Sequence, residues 1–261
     1  MWLDFVRVNS VIWGLTWISV KCIACPWVQN MFISVCLLLF METSSKPQIQ
    51  NTRKKRIDWT KGLLGLVTTS SLKTWAHLYI QSQLWSHGES LILPLDYMVF
   101  VLWSGLVEII FDGVHYWVHR AFHTRYLWWI HRIHHKFSWP TSLSTFYMHP
   151  LDVMLAYNLP LLVALKLCGG RFWHFQLLCT YLTYQEIGGH AGKKLFPTSS
   201  FAQCIWLPRF FGIQLHTEDH DLHHTEHKVN FSKRFSLYDR MFGTYKCGVI
   251  LETQVSRPRN A

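Results

Sequence analysis

Hydrophobic residues along this chain form an N-terminal apolar region and two apolar hairpins, with polar stretches between them. The first region runs from Trp2 to Met41 and is interrupted near Lys21 and Pro26. It reads as two short spans, or as one span plus an interfacial helix, because crossing a bilayer takes roughly 20 residues and the piece after Pro26 is short. A polar loop from Glu42 to Lys61 follows and contains Arg53-Lys54-Lys55-Arg56. Leu63 to Trp85 and Leu91 to Phe111 form the first hairpin around a polar turn at Ser86 to Ser90. Val153 to Leu167 and Phe172 to Ile187 form the second, across Cys168-Gly169-Gly170-Arg171, where Gly-Gly marks a turn. Asn158-Leu159-Pro160 is expected to kink its first arm. The pattern predicts an all-α fold: an integral membrane helical bundle of four or so apolar helices beneath a histidine-lined cytosolic cap. Each hairpin leaves one face and returns to it, and the basic loop makes that face cytosolic by the positive-inside rule.

Composition sharpens this picture. The 261 residues are 50% hydrophobic and only 15% charged, whereas soluble domains carry about 25% charged residues. The 14 tryptophans include Trp103, Trp117, Trp128, Trp129, Trp139 and Trp206 near span ends or the polar cap, where indole favours the membrane–water interface. The formal charge of +10 suits either nucleic acid or anionic lipid. No zinc-finger, helix-turn-helix or RNA-binding signature accompanies it, so lipid headgroups are the expected partner and nucleic acid is not. Seven scattered cysteines argue against a disulfide framework, and Cys22-Ile-Ala-Cys25 lacks the second C-x-x-C of a zinc ribbon. The N-terminus lacks the basic leader of a cleavable signal.

The candidate chemistry lies in three histidine clusters: His119 with His123, His131 with His134 and His135, and His220 with His223 and His224. Residues three and four apart share a helix face, so each cluster aims several ring nitrogens one way. A stripe through His216, His220, His223 and His227 extends the third. Neutral imidazole is a common metal ligand. Without a metal, so many imidazoles packed at one face would leave buried polar atoms unpaired, at roughly 1–3 kcal/mol each. Imidazole alone does not choose among iron, copper, zinc and nickel. His77, His87, His115 and His174 stand apart and read as ordinary core or interfacial histidines. A non-catalytic membrane metal-binding or metal-transport protein is the alternative to an enzyme, but transporters place ligands near the midplane, and these histidines lie beyond the span ends.

The order of these motifs carries a resemblance. Asp112, His119-Arg120-x-x-His123, His131-x-x-His134-His135-Lys136, His149-Pro150-x-Asp152, Gly189-His190-x-Gly192, His220-Asp-Leu-His223-His224 and Tyr238-Asp239-Arg240-Met241-Phe242-Gly243-Thr244 together resemble the fatty acid hydroxylase superfamily over about residues 95 to 248. That superfamily includes sterol C5-desaturases, C4-methyl sterol oxidases and cholesterol 25-hydroxylase. The resemblance implies a multi-pass enzyme of the endoplasmic reticulum membrane holding two iron ions in a non-haem di-iron centre. It implies O2 and two electrons from an external donor such as cytochrome b5 and its reductase, used to hydroxylate or desaturate a membrane lipid, sterol or fatty acyl. The ligands it implies are His119, His123, His131, His134, His135, His190, His220, His223 and His224, with His149 and His216 as lesser candidates. Asp239 is expected to support them from behind, and Glu186, one helical turn before His190, reads as a supporting acceptor, a carboxylate ligand or a plain polar residue at a helix end. Arg120, Arg132, Lys136, Lys193 and Lys194 would face either an acidic electron donor or lipid headgroups. Asn230-Phe231-Ser232 departs mildly from the superfamily's Asn-Tyr/Phe-Gly. Three regions follow: 1–62, hydrophobic region and basic loop; 63–248, membrane-embedded di-metal hydroxylase domain; 249–261, C-terminal tail.

Overall fold

The computed structural model describes residues 1–50, 58–85 and 94–249. The Arg53–Arg56 basic run, the polar turn at 86–90 with His87, and nearly all of the C-terminal tail lie outside these residues. Six long helices dominate: α1 (Trp2–Cys22), α2 (Pro26–Glu42), α3 (Trp59–Leu84), α4 (Pro94–Phe122), α5 (Pro150–Cys168) and α6 (Phe172–Gly189). A shorter helix, α7 (Thr217–Glu226), carries the third histidine cluster. The described residues contain no strand beyond an isolated bridge between Gln48 and Lys193.

The boundaries have local causes. Pro26 opens α2, where its missing N–H is not needed. Asp58 opens α3 by accepting from the Lys61 amide. Gly169 and Gly170 take positive φ and turn the chain between α5 and α6, with Trp103 Nε1 and Trp85 Nε1 donating to their carbonyls at 3.1 and 2.8 Å. The kink expected at Asn158-Leu159-Pro160 takes the form of a π-helical stretch, Val153–Asn158, inside α5. Pro160 cannot donate to the Ala156 carbonyl, and His115 Nδ1 fills that acceptor at 2.7 Å. His115 is therefore a buried structural histidine.

The interior is continuous across all six helices, with Ile12, Leu37, Leu66, Phe111, Leu161 and Leu178 in one cluster. The N-terminal apolar region thus forms two helices, α1 and α2, and both pack an apolar face into the bundle's core. The outer flank is apolar too: Leu3, Leu64, Met98, Leu102 and Leu106 are all more than half exposed on their helices. Asp96–Phe122 and Pro150–Cys168 are long and apolar enough to cross a membrane, and α2 is a shorter apolar helix. The fold is an all-helical membrane bundle.

Helix polarity brings the chemistry to one end. The C-terminus of α4, the N-terminus of α5 and the C-terminus of α6 all meet there, beneath α7. Lys193 secures α2 to the same end: its Nζ donates to the carbonyls of Met41, Glu42 and Ser44 at 2.6, 2.9 and 2.8 Å. It neutralises the negative end of the helix and is 5% exposed, so it does not belong to the surface basic face. The seven cysteines are all free, and the Cys22–Cys25 pair is exposed and outside any metal-competent group.

Candidate metal centre

The histidine end gathers nine imidazoles into two adjoining groups. His119, His123, His131, His135 and His223 form one, and His134, His190, His220 and His224 form the other. Within each group one candidate ligand atom per residue lies within 4.8 Å of all the others. The groups touch: the rings of His135 and His224 are 4.6 Å apart between centroids. Eight of the nine residues are buried, and His123 is half-buried.

The rings reach their places from several elements. His119 comes from the last turn of α4 and His123 lies just past it. His131 closes a short helix, Trp128–His131, and His134 and His135 open a 3-10 turn, His134–Lys136. His131 and His135 enter the first group and His134 the second, and the same spacing on α7 divides likewise, with His223 in the first group and His220 and His224 in the second. His190 follows the end of α6, and α7 supplies His220, His223 and His224.

Backbone carbonyls and one carboxylate set the ring orientations. His119 Nδ1 donates to Phe231 O at 2.8 Å, His223 Nδ1 to Val229 O at 2.6 Å and His190 Nδ1 to Glu186 O at 2.8 Å. His131 Nδ1 donates to Asp152 Oδ2 at 2.5 Å. His123 is hydrogen-bonded to the His227 backbone. A neutral imidazole carries one N–H, so in these four donating rings Nε2 holds a lone pair. Yet His119 Nε2 and His131 Nε2 lie 3.0 Å apart. With both rings neutral, neither can donate to the other, and a cation between them would remove the repulsion. His224 is 1% exposed and neither of its ring nitrogens has a hydrogen-bond partner. The donor set therefore fits metal ions at both groups.

Electrostatics agree. Burial, reinforced by neighbouring imidazoles, holds His134, His220, His223 and His224 well below the ordinary histidine range. Burial brings His123 and His190 down to about 3. All stay neutral near pH 7, the form that binds a metal.

Other candidates lie elsewhere. His149 and His216 fall outside both groups because each caps a helix. His149 Nδ1 accepts from the Leu151 amide at 3.2 Å and its ring packs on Trp129. His216 forms a capping box with Asp219 at the start of α7. His227 ends α7 with φ 61° and packs its ring against His135 and Trp128. Glu186 reaches His190 through its backbone carbonyl. Its carboxylate turns away to Lys73 and Arg234, at 3.3 and 3.2 Å. Asp239 stands one step behind His119: it accepts from the Phe231 and Ser232 amides at 2.8 and 2.9 Å, fixing the loop whose carbonyl orients that ring. Asp152 was not among the candidate site residues, although His149-Pro150-x-Asp152 contained it. The carbonyls of Val229 and Phe231 leave no sequence signal. Asn230, at φ 55°, aims them by bonding to the Asp219 and Lys246 carbonyls at 2.9 and 2.7 Å.

The model of the family described as fatty acid hydroxylase matches residues 105–244, the stretch that holds all nine histidines. The chain belongs to the fatty acid hydroxylase family. Its relatives include the fatty acid hydroxylase vlmA of Lecanicillium sp, 33% identical over 61% of this chain and 47% of the relative. The C-4 methylsterol oxidase erg25 of Schizosaccharomyces pombe is 33% identical over 60% of this chain and 52% of the relative. The very-long-chain aldehyde decarbonylase GL1-5 of Oryza sativa subsp. indica is 28% identical over 54% and 24%. The chain spans about half the length, or less, of these curated relatives. No solved structure matches it. The stretch of chain from α4 to α7 holds every histidine of the two groups, while α1, α2 and α3 precede the match.

Proposed function

We propose that this fatty acid hydroxylase family member is an O2-dependent, non-haem di-iron oxidoreductase that hydroxylates or desaturates a membrane lipid, sterol or fatty acyl, in lipid biosynthesis. The observation that carries this reading is the pair of adjoining all-imidazole groups, with ring nitrogens facing one another as bare acceptors. His119, His123, His131, His135 and His223 would hold one ion, and His134, His190, His220 and His224 the other. Two bound iron ions would supply the O2 activation needed to take hydrogen from an unactivated carbon. Hydroxylation places one oxygen atom in the substrate and leaves the other as water, drawing two electrons and two protons from outside.

The chain's own part is positional. Asp152 and the carbonyls of Glu186, Val229 and Phe231 keep the proton on Nδ1 and leave Nε2 free. Burial of the rings, with His190, His223 and His224 at 1% exposure or less, keeps water from the site. The apolar outer flank lets a lipid tail approach from the bilayer. We place the protein in the endoplasmic reticulum membrane as a multi-pass chain with its histidine end cytosolic, within reach of cytochrome b5 and its reductase. The names of its relatives, a fatty acid hydroxylase and a C-4 methylsterol oxidase, support a lipid substrate.

Lipidomics on cells lacking the protein, complemented with the wild type or with His134→Ala, tests this reading. A lipid precursor should accumulate in the deleted cells and clear only with the wild type. Full clearance by His134→Ala would refute it, as would a wild type that restores iron transport with no lipid change.

A further inference from the structure

Beside the histidine end lies an open groove of about 570 Å³, lined by the first turns of α3, the segment around His134 and the stretch ahead of α5. Leu64, Ile133 and Phe146 give it an apolar lining, and Lys61, Arg132 and Lys136 give it three cations. All three cations are exposed. Lys61 has a loose, solvent-exposed partner in Asp58 at 3.7 Å. Among the described residues, Arg132 and Lys136 have no acidic side chain within ion-pair distance. The apolar lining continues along the outer flank of α3, where Leu63, Leu64 and Val67 are 53%, 65% and 41% exposed. Exposed aromatic residues adjoin the groove's segments in the chain: Trp59 opens α3, and Tyr126 and Trp129 precede Arg132. Amphipathic rings of this kind settle at headgroup depth.

We propose that this groove seats an anionic bilayer phospholipid, its phosphate among Lys61, Arg132 and Lys136 and its first methylenes on Leu64 and Ile133. Cations at headgroup depth attract anionic lipid, and an apolar lining that runs on into the lipid-facing flank suits an acyl chain better than the polar surface of an acidic protein. The site is separate from the histidine groups, since Arg132, Ile133 and Lys136 point outward from the segment whose His131, His134 and His135 point inward. A seated lipid would tie α3 to that segment.

Full-length protein in neutral detergent is titrated with phosphatidylglycerol, phosphatidylcholine or inorganic phosphate, and bound lipid is counted by native mass spectrometry. Phosphatidylglycerol should bind in preference to phosphatidylcholine, and R132Q/K136Q should weaken it at least about tenfold, from roughly fivefold per cation. Raising the salt concentration should weaken it as well. Should R132Q/K136Q fail to fold, K61Q carries the test alone, on a side chain that is 64% exposed, with an expected loss of about fivefold. Equal binding of the two lipids would overturn the proposal, as would undiminished phosphatidylglycerol affinity in the variants. Inorganic phosphate displacing the lipid at equal concentration would assign the groove to a free anion. Cytochrome b5 binding lost in R132Q/K136Q while lipid affinity stays intact would assign it to an acidic protein.

Discussion

His119 and His131 point their Nε2 atoms at each other across 3.0 Å while each commits its Nδ1–H elsewhere. Two imidazole lone pairs held that close repel, and the surrounding packing keeps them there. A shared cation turns the same geometry into an attraction, which explains why the fold spends a carboxylate, Asp152, and a loop carbonyl, Phe231 O, on fixing those two rings.

Asp152→Ala removes the carboxylate behind His131 and frees its ring to rotate or change tautomer. Loss of such a partner costs roughly tenfold to a hundredfold in metal affinity or activity. Metal titration of the purified variant should show that loss, with a helical circular dichroism spectrum like the wild type's.

Asp239→Ala should act through the fold. Its carboxylate accepts from two amides and from Thr244 Oγ1, the last at 2.7 Å, and all of these lose their partner in a buried site. Each hydrogen bond to a charged acceptor is worth about 1.5–3 kcal/mol, so a destabilisation of several kcal/mol is expected in thermal or denaturant unfolding. Metal affinity should fall with it, because the 227–231 loop then loses its anchor.

His149→Ala separates capping from ligation. It should cost about 1 kcal/mol of stability, as lost N-caps do, and leave the metal content unchanged. A variant that loses metal in proportion would place His149 among the ligands.

The pH dependence has a definite sign. The unfolded chain protonates histidine below the ordinary value of 6.5, whereas burial holds His123 and His190 near 3 in the folded protein. Their folded pKa values lie below the unfolded ones, so below 6.5 the unfolded state takes up protons that the folded state refuses. Stability of the metal-free protein should therefore fall as pH drops from 7 toward 4, by about 1.4 kcal/mol per pH unit for each such group. Melting temperatures across that range check the slope, and a flat profile would mean that the rings protonate in place.

Eight of the nine histidines stood out in the sequence because imidazole is a conspicuous ligand and their spacings are dense, whereas His190 stands alone and came only with the family resemblance. His149 and His216 were equally conspicuous, but a ring at a helix N-terminus caps amides as readily as it binds a metal, and spacing does not separate the two roles. The division into two groups could not be read, because residues three and four apart share a helix face, yet both identically spaced triples divide between the groups. The carbonyls of Glu186, Val229 and Phe231 belong to the backbone and carry no residue signature. Lys193 looked like a surface cation, and only the packing of α2 against the chain after α6 shows that its charge caps a helix. The apolar hairpins were readable from length and hydropathy. The burial of α1 and α2 was not, since one apolar face can meet lipid or another helix.

Two redox-active ions should sit in these imidazole groups. Metal analysis of the full-length protein purified from iron-supplied cells, beside H119A/H131A and H190A/H224A, tests this most directly. Close to two iron ions per chain are expected in the wild type, with loss of metal from the altered group in each variant. A wild type that holds no iron, or variants that keep the wild-type content, would contradict it.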